Sequence, residues 1–255
     1  MRPKLFLISS PRFKLDEFKR FLRTENLAWK RTPKATSAEE LVEVSGRICY
    51  LSFGRAQSPR SNREYIQNLI ANEHESVLEH ASWTFLLTGI SRSFTHQLVR
   101  HRAGFSFSQL SQQYHDESNA KSIEPAFLRN NPEALKIWRS AIEQSKKVYA
   151  ALIQPHPRFR AGNLKSEKEH QRAIRSVARS VLPNATETKI MISANARSLR
   201  HFLRVRGAIE GDLEMRQVSA LFLETMKTEA PTLFEDFETK NHSDGFPIVF
   251  RRKRE

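Results

Sequence analysis

The sequence predicts a mixed α/β fold with more helix than strand. Short segments with apolar residues at strand spacing occur at 4–9, 83–87 and 187–195. Longer segments with apolar residues at helical spacing lie between and after them. Two of these open on a Ser with Glu three residues later, Ser37-Ala38-Glu39-Glu40 and Ser61-Asn62-Arg63-Glu64, the pattern by which a hydroxyl and a carboxylate satisfy the first free amides of a helix.

Residues 4–9 read as a first buried strand, since the chain from Met1 turns polar too soon for a secretory leader. Residues 15–23 form a short amphipathic helix. The Ser37 box opens a helix to about Tyr50, and the Ser61 box opens one to about Ala71. His74 to His80 is a polar link. Trp83, Phe85 and Leu87 alternate with Ser82, Thr84 and Leu86, which gives a strand ended by Gly89. Ser91 caps a helix carrying Phe94, Leu98 and then Arg100-His101, with loop beyond. Helices are expected over 132–153 and 167–182, the second basic through Arg172, Arg175 and Arg179 and stopped by Pro183. Glu187 to Asn195 is a strand. Ser198 to Arg206 and Leu213 to about Lys227 are helices on either side of the Gly207–Gly211 turn. Residues 154–166 form the clearest excursion. No sharp change in composition marks a boundary, so 1–255 is expected to be a single domain.

The net charge of +14 points to anionic partners. Acidic residues are interleaved with the basic ones almost everywhere, the exception being the tail Arg251-Arg252-Lys253-Arg254, expected to be mobile. A basic nucleic-acid-binding module is therefore an alternative, and an enzyme acting on dianionic small molecules is equally compatible with the charge. No apolar run approaches the ~20 residues of a membrane span. Cys49 is the single cysteine, so no intrachain disulfide can form, which fits a reducing cytoplasm. It is expected to be buried in the helix from Val42 to Tyr50.

Residues 100–114 are the most informative stretch. Arg100-His101-Arg102 supplies fixed positive charge, and Ser106, Gln109, Ser111 and Gln113 follow as uncharged donors, with Tyr114 at the end. That order suits a phosphorylated ligand whose ring is read by hydrogen bonds. The simpler alternative is a helix C-terminus with cations against its dipole, then a polar loop. His74 and His80 flank Glu75 and Glu79, but no further ligand stands at zinc-site spacing, and no metal is expected. Asn195-Ala196-Arg197-Ser198-Leu199-Arg200-His201 follows a strand and opens a helix, with Asn195 as a plain N-cap or as part of an anion site at the helix start.

Four separated segments, in order from about Cys49 to about Phe237, resemble the flavin-dependent thymidylate synthases. They are the His74–His80 stretch, the Arg100–Tyr114 signature, Ala178-Arg179-Ser180-Val181-Leu182-Pro183, and the Asn195 segment with Arg206 beyond it. Residues 1–35 and 240–255 add nothing to the resemblance. It implies a mixed, twisted sheet flanked by helices, of the thymidylate synthase-complementing type. It implies synthesis of dTMP from dUMP, with methylenetetrahydrofolate as one-carbon donor and FAD, reduced by NADPH, as hydride source. On this resemblance Gln97, Arg100, Gln109, Ser111, Gln113, Arg179 and Arg206 would bind dUMP. His74, Ser76, Arg100, His101, Arg102, Gln109, Asn195, Arg197 and His201 would hold the flavin. Arg206 and Ser111 would be the catalytic pair, Arg206 beside the uracil ring and Ser111 as a positioning hydroxyl without a base. A homotetramer with sites shared between subunits is implied as well.

There are departures from the pattern. Ala103-Gly104-Phe105 is one residue longer than the usual gap. Gln113 stands where the family has a phosphate-binding arginine, with Arg204 and Arg216 as candidates to compensate. Glu210 replaces a histidine. Modification of a pyrimidine nucleotide by hydroxymethylation is an alternative activity on the same scaffold.

Overall fold

A computed structural model of the chain describes residues 2–59, 61–154 and 166–252. The strands are β1 (Lys4–Ser9), β2 (Ser82–Ser91), β3 (Phe105–Gln109), β4 (Glu187–Asn195), β5 (Phe237–Asn241) and β6 (Pro247–Arg251). The helices are α1 (Leu15–Thr24), α2 (Ser37–Tyr50), α3 (Asn62–Ala71), α4 (Arg92–Leu98), α5 (Pro132–Ile153), α6 (Glu167–Ala178), α7 (Ala196–Arg206), α8 (Leu213–Glu229) and α9 (Pro231–Phe234). The expected mixed α/β class holds. Most of the expected excursion, 155–165, and the end of the basic tail lie outside the described residues.

Backbone packing divides the chain into two compact units. The larger holds 5–86, 101–107 and 191–255. Its segments of β1 to β4 belong to a four-stranded sheet of order β1-β2-β4-β3. Trp83 and Phe85 of β2 are buried, the first edge-on to Phe234 and the second edge-on to Phe222 of α8. Phe202 of α7 meets Phe222 in turn. These rings remove large apolar areas from water, and their edge-to-face geometry adds to that burial.

Both capping boxes exist, but the first is displaced by one residue. Thr36, not Ser37, accepts the Glu39 amide, and the Glu39 carboxylate returns to the Thr36 amide. Glu40 is drawn away by Arg31. Ser61 and Glu64 form the second box as expected. The segment 75–80, expected to be a polar link, is a 3-10 helix that buries Val77 and Leu78. Within α2, Glu43 and Arg47 form a fully buried ion pair at 2.7 Å. Asn62 donates to Glu43, and Tyr65 lies under the guanidinium, so neither charge is left without partners.

The chain end was not foreseen as structured. β5 and β6 form an antiparallel hairpin with Thr239 opposite Val249. Two buried arginines latch it. Arg216 of α8 donates to both Asp244 oxygens at 2.6 and 3.0 Å and to the Pro247 and Phe246 carbonyls. Arg200 of α7 holds Asp236, which also accepts from Arg251. Arg216 is therefore a structural clamp rather than a spare cation.

The smaller unit holds 87–100 and 108–190. Gly89 does not end β2. It adopts φ +67, its amide donates to Glu187, and the strand continues to Ser91. Ser91 then caps α4 through the Phe94 amide, as expected. The Arg92 and Ser93 amides donate to the Thr186 and Asn184 carbonyls, which ties the start of α4 to the entry of β4. The helix expected over 167–182 ends at Ala178 and tightens into a 3-10 turn over 179–181 before Pro183.

Candidate active site

A cavity of about 510 Å³ opens in the smaller unit, within the range of small-molecule sites. Arg92, Thr95 and His96 reach it from α4, Gln109 from β3, Gln112 from the loop beyond, and Ser176 and Arg179 from the end of α6. Of the residues expected at a nucleotide, Gln109 and Arg179 line this cavity. Gln97, Arg100, Ser111 and Gln113 belong to the same unit but are not part of its wall.

The cavity carries unmatched positive charge. Among the described residues neither Arg92 nor Arg179 is within ion-pair distance of a carboxylate, whereas Arg47, Arg200 and Arg216 each hold one. Burial and the like charge of Arg179 both disfavour the Arg92 cation, and Glu117 offsets them in part. A guanidinium does not give up its proton under such pressure, so an anion at this point is favoured. Two buried nitrogens, Arg92 Nε and Gln112 Nε2, have no hydrogen-bond partner among the described residues, a costly state unless a ligand or water meets them.

Gln109 is held by Thr95 and Thr188, each accepting from its Nε2 at 2.9 and 3.3 Å. Gln113 donates to Ser176 Oγ at 2.9 Å. The Ser111 hydroxyl accepts from the Gln113 amide at 3.3 Å. Among the described residues no histidine or carboxylate hydrogen-bonds that hydroxyl, which fits positioning and not nucleophilic attack.

The other expected residues belong to the larger unit. His74, Ser76 and Arg197 line a second cavity, of about 350 Å³, together with Tyr50, Leu69, Glu75 and Val77. Cys49 lines it too and is exposed, which corrects its expected burial. Ile48, Cys49 and Tyr50, the last residues of α2, are all exposed, and Leu51 ends the helix in the left-handed conformation. Arg197 pairs with Glu79 at 2.6 Å and Glu75 at 3.7 Å. Asn195 is the N-cap of α7, accepting from the Ser198 amide and hydroxyl.

His101, Arg102, Asn195, His201 and Arg206 lie outside that cavity wall. His101 packs against both Phe105 and Phe202, with its ring 6.2 Å from that of His201. Arg206 Nε donates to His101 Nε2 at 3.0 Å. Burial, then the Arg206 charge, then His201 hold the His101 pKa below the ordinary histidine value. The long gap of the signature contains Gly104 in the left-handed conformation. The glycine's φ is +70, and a Cβ there would strike Ser198 Oγ and come within 2.6 Å of Asn195 Nδ2. The loop thus lies directly on the start of α7, where the Asn195 amide donates to the Gly104 carbonyl.

Residues 33–232 match the family model described as thymidylate synthase complementing protein. The chain is 39% identical over 227 residues to a flavin-dependent thymidylate synthase of Corynebacterium efficiens, an alignment covering 88% of this chain and 89% of that one. It is 37% identical over 231 residues to the enzyme of that name from Mycobacteroides abscessus, with 90% of each chain covered. The chain belongs to the flavin-dependent thymidylate synthase family.

Within that family's pattern, the departure at Gln113 has a local counterpart, since the glutamine is bonded to Ser176 on the cavity wall. Sequence reasoning singled out neither Arg92 nor Gln112. Arg92 looked like an ordinary first helical residue, and nothing in a single sequence marks a buried nitrogen as unpartnered. Arg204, the other candidate to compensate, contacts His201 at 3.2 Å. Among the described residues no helix is long and apolar enough to cross a membrane.

Proposed function

We propose that the protein makes dTMP from dUMP, with methylenetetrahydrofolate as one-carbon donor and NADPH as reductant of FAD. The observation that carries this reading is the cavity where, among the described residues, Arg92 and Arg179 form no ion pair with a carboxylate, in a chain whose relatives are named flavin-dependent thymidylate synthases. Two guanidiniums and an unpartnered amide match a phosphate, which offers oxygens in a geometry that arginine can bridge.

FAD is the cofactor on this reading. The second cavity supports part of its site, since it joins an apolar wall, Leu69 and Val77, to an imidazole, a hydroxyl and a guanidinium. His74, Ser76 and Arg197 would hold it there. Arg100, His101, Arg102, Gln109, Asn195 and His201 would complete its surroundings. When bound, FAD supplies the hydride that completes the methyl group.

The remaining work falls to the chain. Arg92 and Arg179 bind phosphate in the cavity, with Arg100 from the same unit, and Gln97, Gln109 and Ser111 orient the nucleotide. Arg206 stands beside N3 and O4 of the uracil, where a fixed cation stabilises the ring anion and so raises electron density at C5. C5 takes the methylene from the folate, the C5 proton is lost, and the carbon–nitrogen bond to the folate breaks with tetrahydrofolate as the leaving group. No thiol need add to C6. The assembly is a homotetramer whose subunits share sites.

The test has two parts. Purified protein should be yellow, with a flavin spectrum that bleaches on anaerobic NADPH. With methylenetetrahydrofolate present, C5-tritiated dUMP should release tritium to water, and the product should have the mass of dTMP. A hydroxymethylated product would replace this reading with the alternative chemistry. A colourless protein with salt-dependent polynucleotide binding would remove it.

A further inference from the structure

The C-terminal hairpin lies beyond residues 33–232 matched by the family model, and it grips the chain one residue from Arg206. Gly207, which ends α7, is buried, and its carbonyl accepts from the Val249 amide of β6 at 2.8 Å. The approach is close enough that a Cβ on Gly207 would stand 2.5 Å from the Val249 carbonyl oxygen and 2.8 Å from its Cβ. Val249 is 1% exposed. The hairpin cannot drift from this contact easily, because Arg216 clasps its tip at Asp244 and Arg200 clasps its base at Asp236. At the other end of the Arg206 side chain, His101 accepts the Nε hydrogen. Arg206 thus sits beside a residue pinned by β6, and its guanidinium is held by the signature loop.

We infer that the β5–β6 hairpin is a positioning element for Arg206, acting through the Val249–Gly207 contact to aim the guanidinium. Val249 and Gly207 touch no substrate on this assignment and work only through their neighbour. The inference rests on the proposed role of Arg206 for its catalytic consequence, but not for its geometric one. A long side chain anchored at a frayed helix end would sample many rotamers. One anchored at a pinned turn keeps the approach that transition-state stabilisation requires.

The test uses the full-length protein with its histidine rings labelled, His101 being assigned by its loss in His101→Gln. Val249→Ala keeps the backbone bond but removes the side-chain contact, and Gly207→Ala, whose Cβ would meet the Leu203 carbonyl of α7 as well as β6, is the stronger disruption. Val42→Ala, in the buried face of α2, is the control for simple loss of stability. In the hairpin variants the His101 titration midpoint should rise by about half a pH unit or more, as a neighbouring cation moves off. Turnover of dUMP should fall at least tenfold in kcat with a smaller change in KM. Val42→Ala should change neither. A His101 midpoint unmoved in folded hairpin variants, or moved equally by Val42→Ala, overturns the inference. A moved midpoint with unchanged dUMP turnover upholds the hairpin's positioning of Arg206 and overturns the role assigned to that arginine.

Discussion

Arg206 Nε lies 3.0 Å from His101 Nε2 and donates to it, so the neutral imidazole carries its proton on Nδ1. The pair joins a residue of the signature to the residue expected at the substrate ring. It works in one protonation state only, because an imidazolium would turn a second N–H toward the guanidinium.

That sets the sign of a pH effect. Burial, Arg206 and His201 lower the His101 pKa in the folded chain, below the ordinary value of about 6.5. The pair is intact above that value and breaks as pH falls through the lower, folded value. kcat/KM for dUMP should show an acid limb with its midpoint below ~6.5. His101→Gln, which keeps an acceptor, should lose that limb. In the same window the unfolded chain binds more protons than the folded one, so stability should fall as pH drops. An acid limb that persists unchanged in His101→Gln would remove His101 from this role.

Gly104 and Gly211 separate two effects of alanine. Both have positive φ, +70 and +77, but the space around Gly211 is open within 4 Å. Gly211→Ala should cost only the left-handed strain, about 1–2 kcal/mol. Gly104→Ala adds the collision with Ser198 and Asn195 and should cost a further ~2 kcal/mol or more. Urea unfolding of the two variants measures the difference. Equal losses would mean that the loop is not fixed by its seat on α7.

Arg92 and Gln113 should differ in their effect on dUMP. A charge-assisted hydrogen bond contributes about 1.5–3 kcal/mol and a neutral one about 1. Arg92→Gln should raise KM for dUMP by about tenfold or more with kcat little changed. Gln113→Ala, which loses a contact to Ser176, should raise it by no more than about fivefold. The reverse order would return the phosphate to the glutamine.

The displaced cap of α2 is testable in the same way. Thr36→Ala removes the hydroxyl that accepts the Glu39 amide and should cost about 1 kcal/mol. Ser37→Ala, at the first helical residue, should change stability by less than about 0.5 kcal/mol. Thermal unfolding of both variants decides which hydroxyl is the cap.

What was legible in the sequence is mostly what local chemistry encodes. Ser61 with Glu64 and Ser91 before Phe94 act within a few residues and began elements where expected. The first box misled because Thr36 and Ser37 offer the same hydroxyl, and the decision came from Arg31, a residue outside the helix. β3 was read as loop although Phe105 and Phe107 alternate with Ser106 and Ser108. The two rings lie stacked at 5.6 Å on one face, and that period of two was the available signal. The hairpin was missed because β5 reads Phe-Glu-Thr-Lys-Asn, mostly exposed. Its order comes from arginines distant in sequence. The expected site residues were found by pattern, but nothing local distinguishes the engaged Arg197 from the unmatched Arg179.

The Gln109 amide has a consequence for how a ligand can lie. Thr95 uses its own proton on the Arg92 carbonyl, so it can only accept from Gln109, and Thr188 takes the second amide hydrogen. Oε1 is then the group's remaining polar atom, and it attracts only N–H or O–H. Arg92 and Arg179, elsewhere on the same wall, present only hydrogens. A molecule with oxyanions at one end and an imide or hydroxyl at the other has a single favourable heading in such a space, because reversing it would face lone pairs with lone pairs.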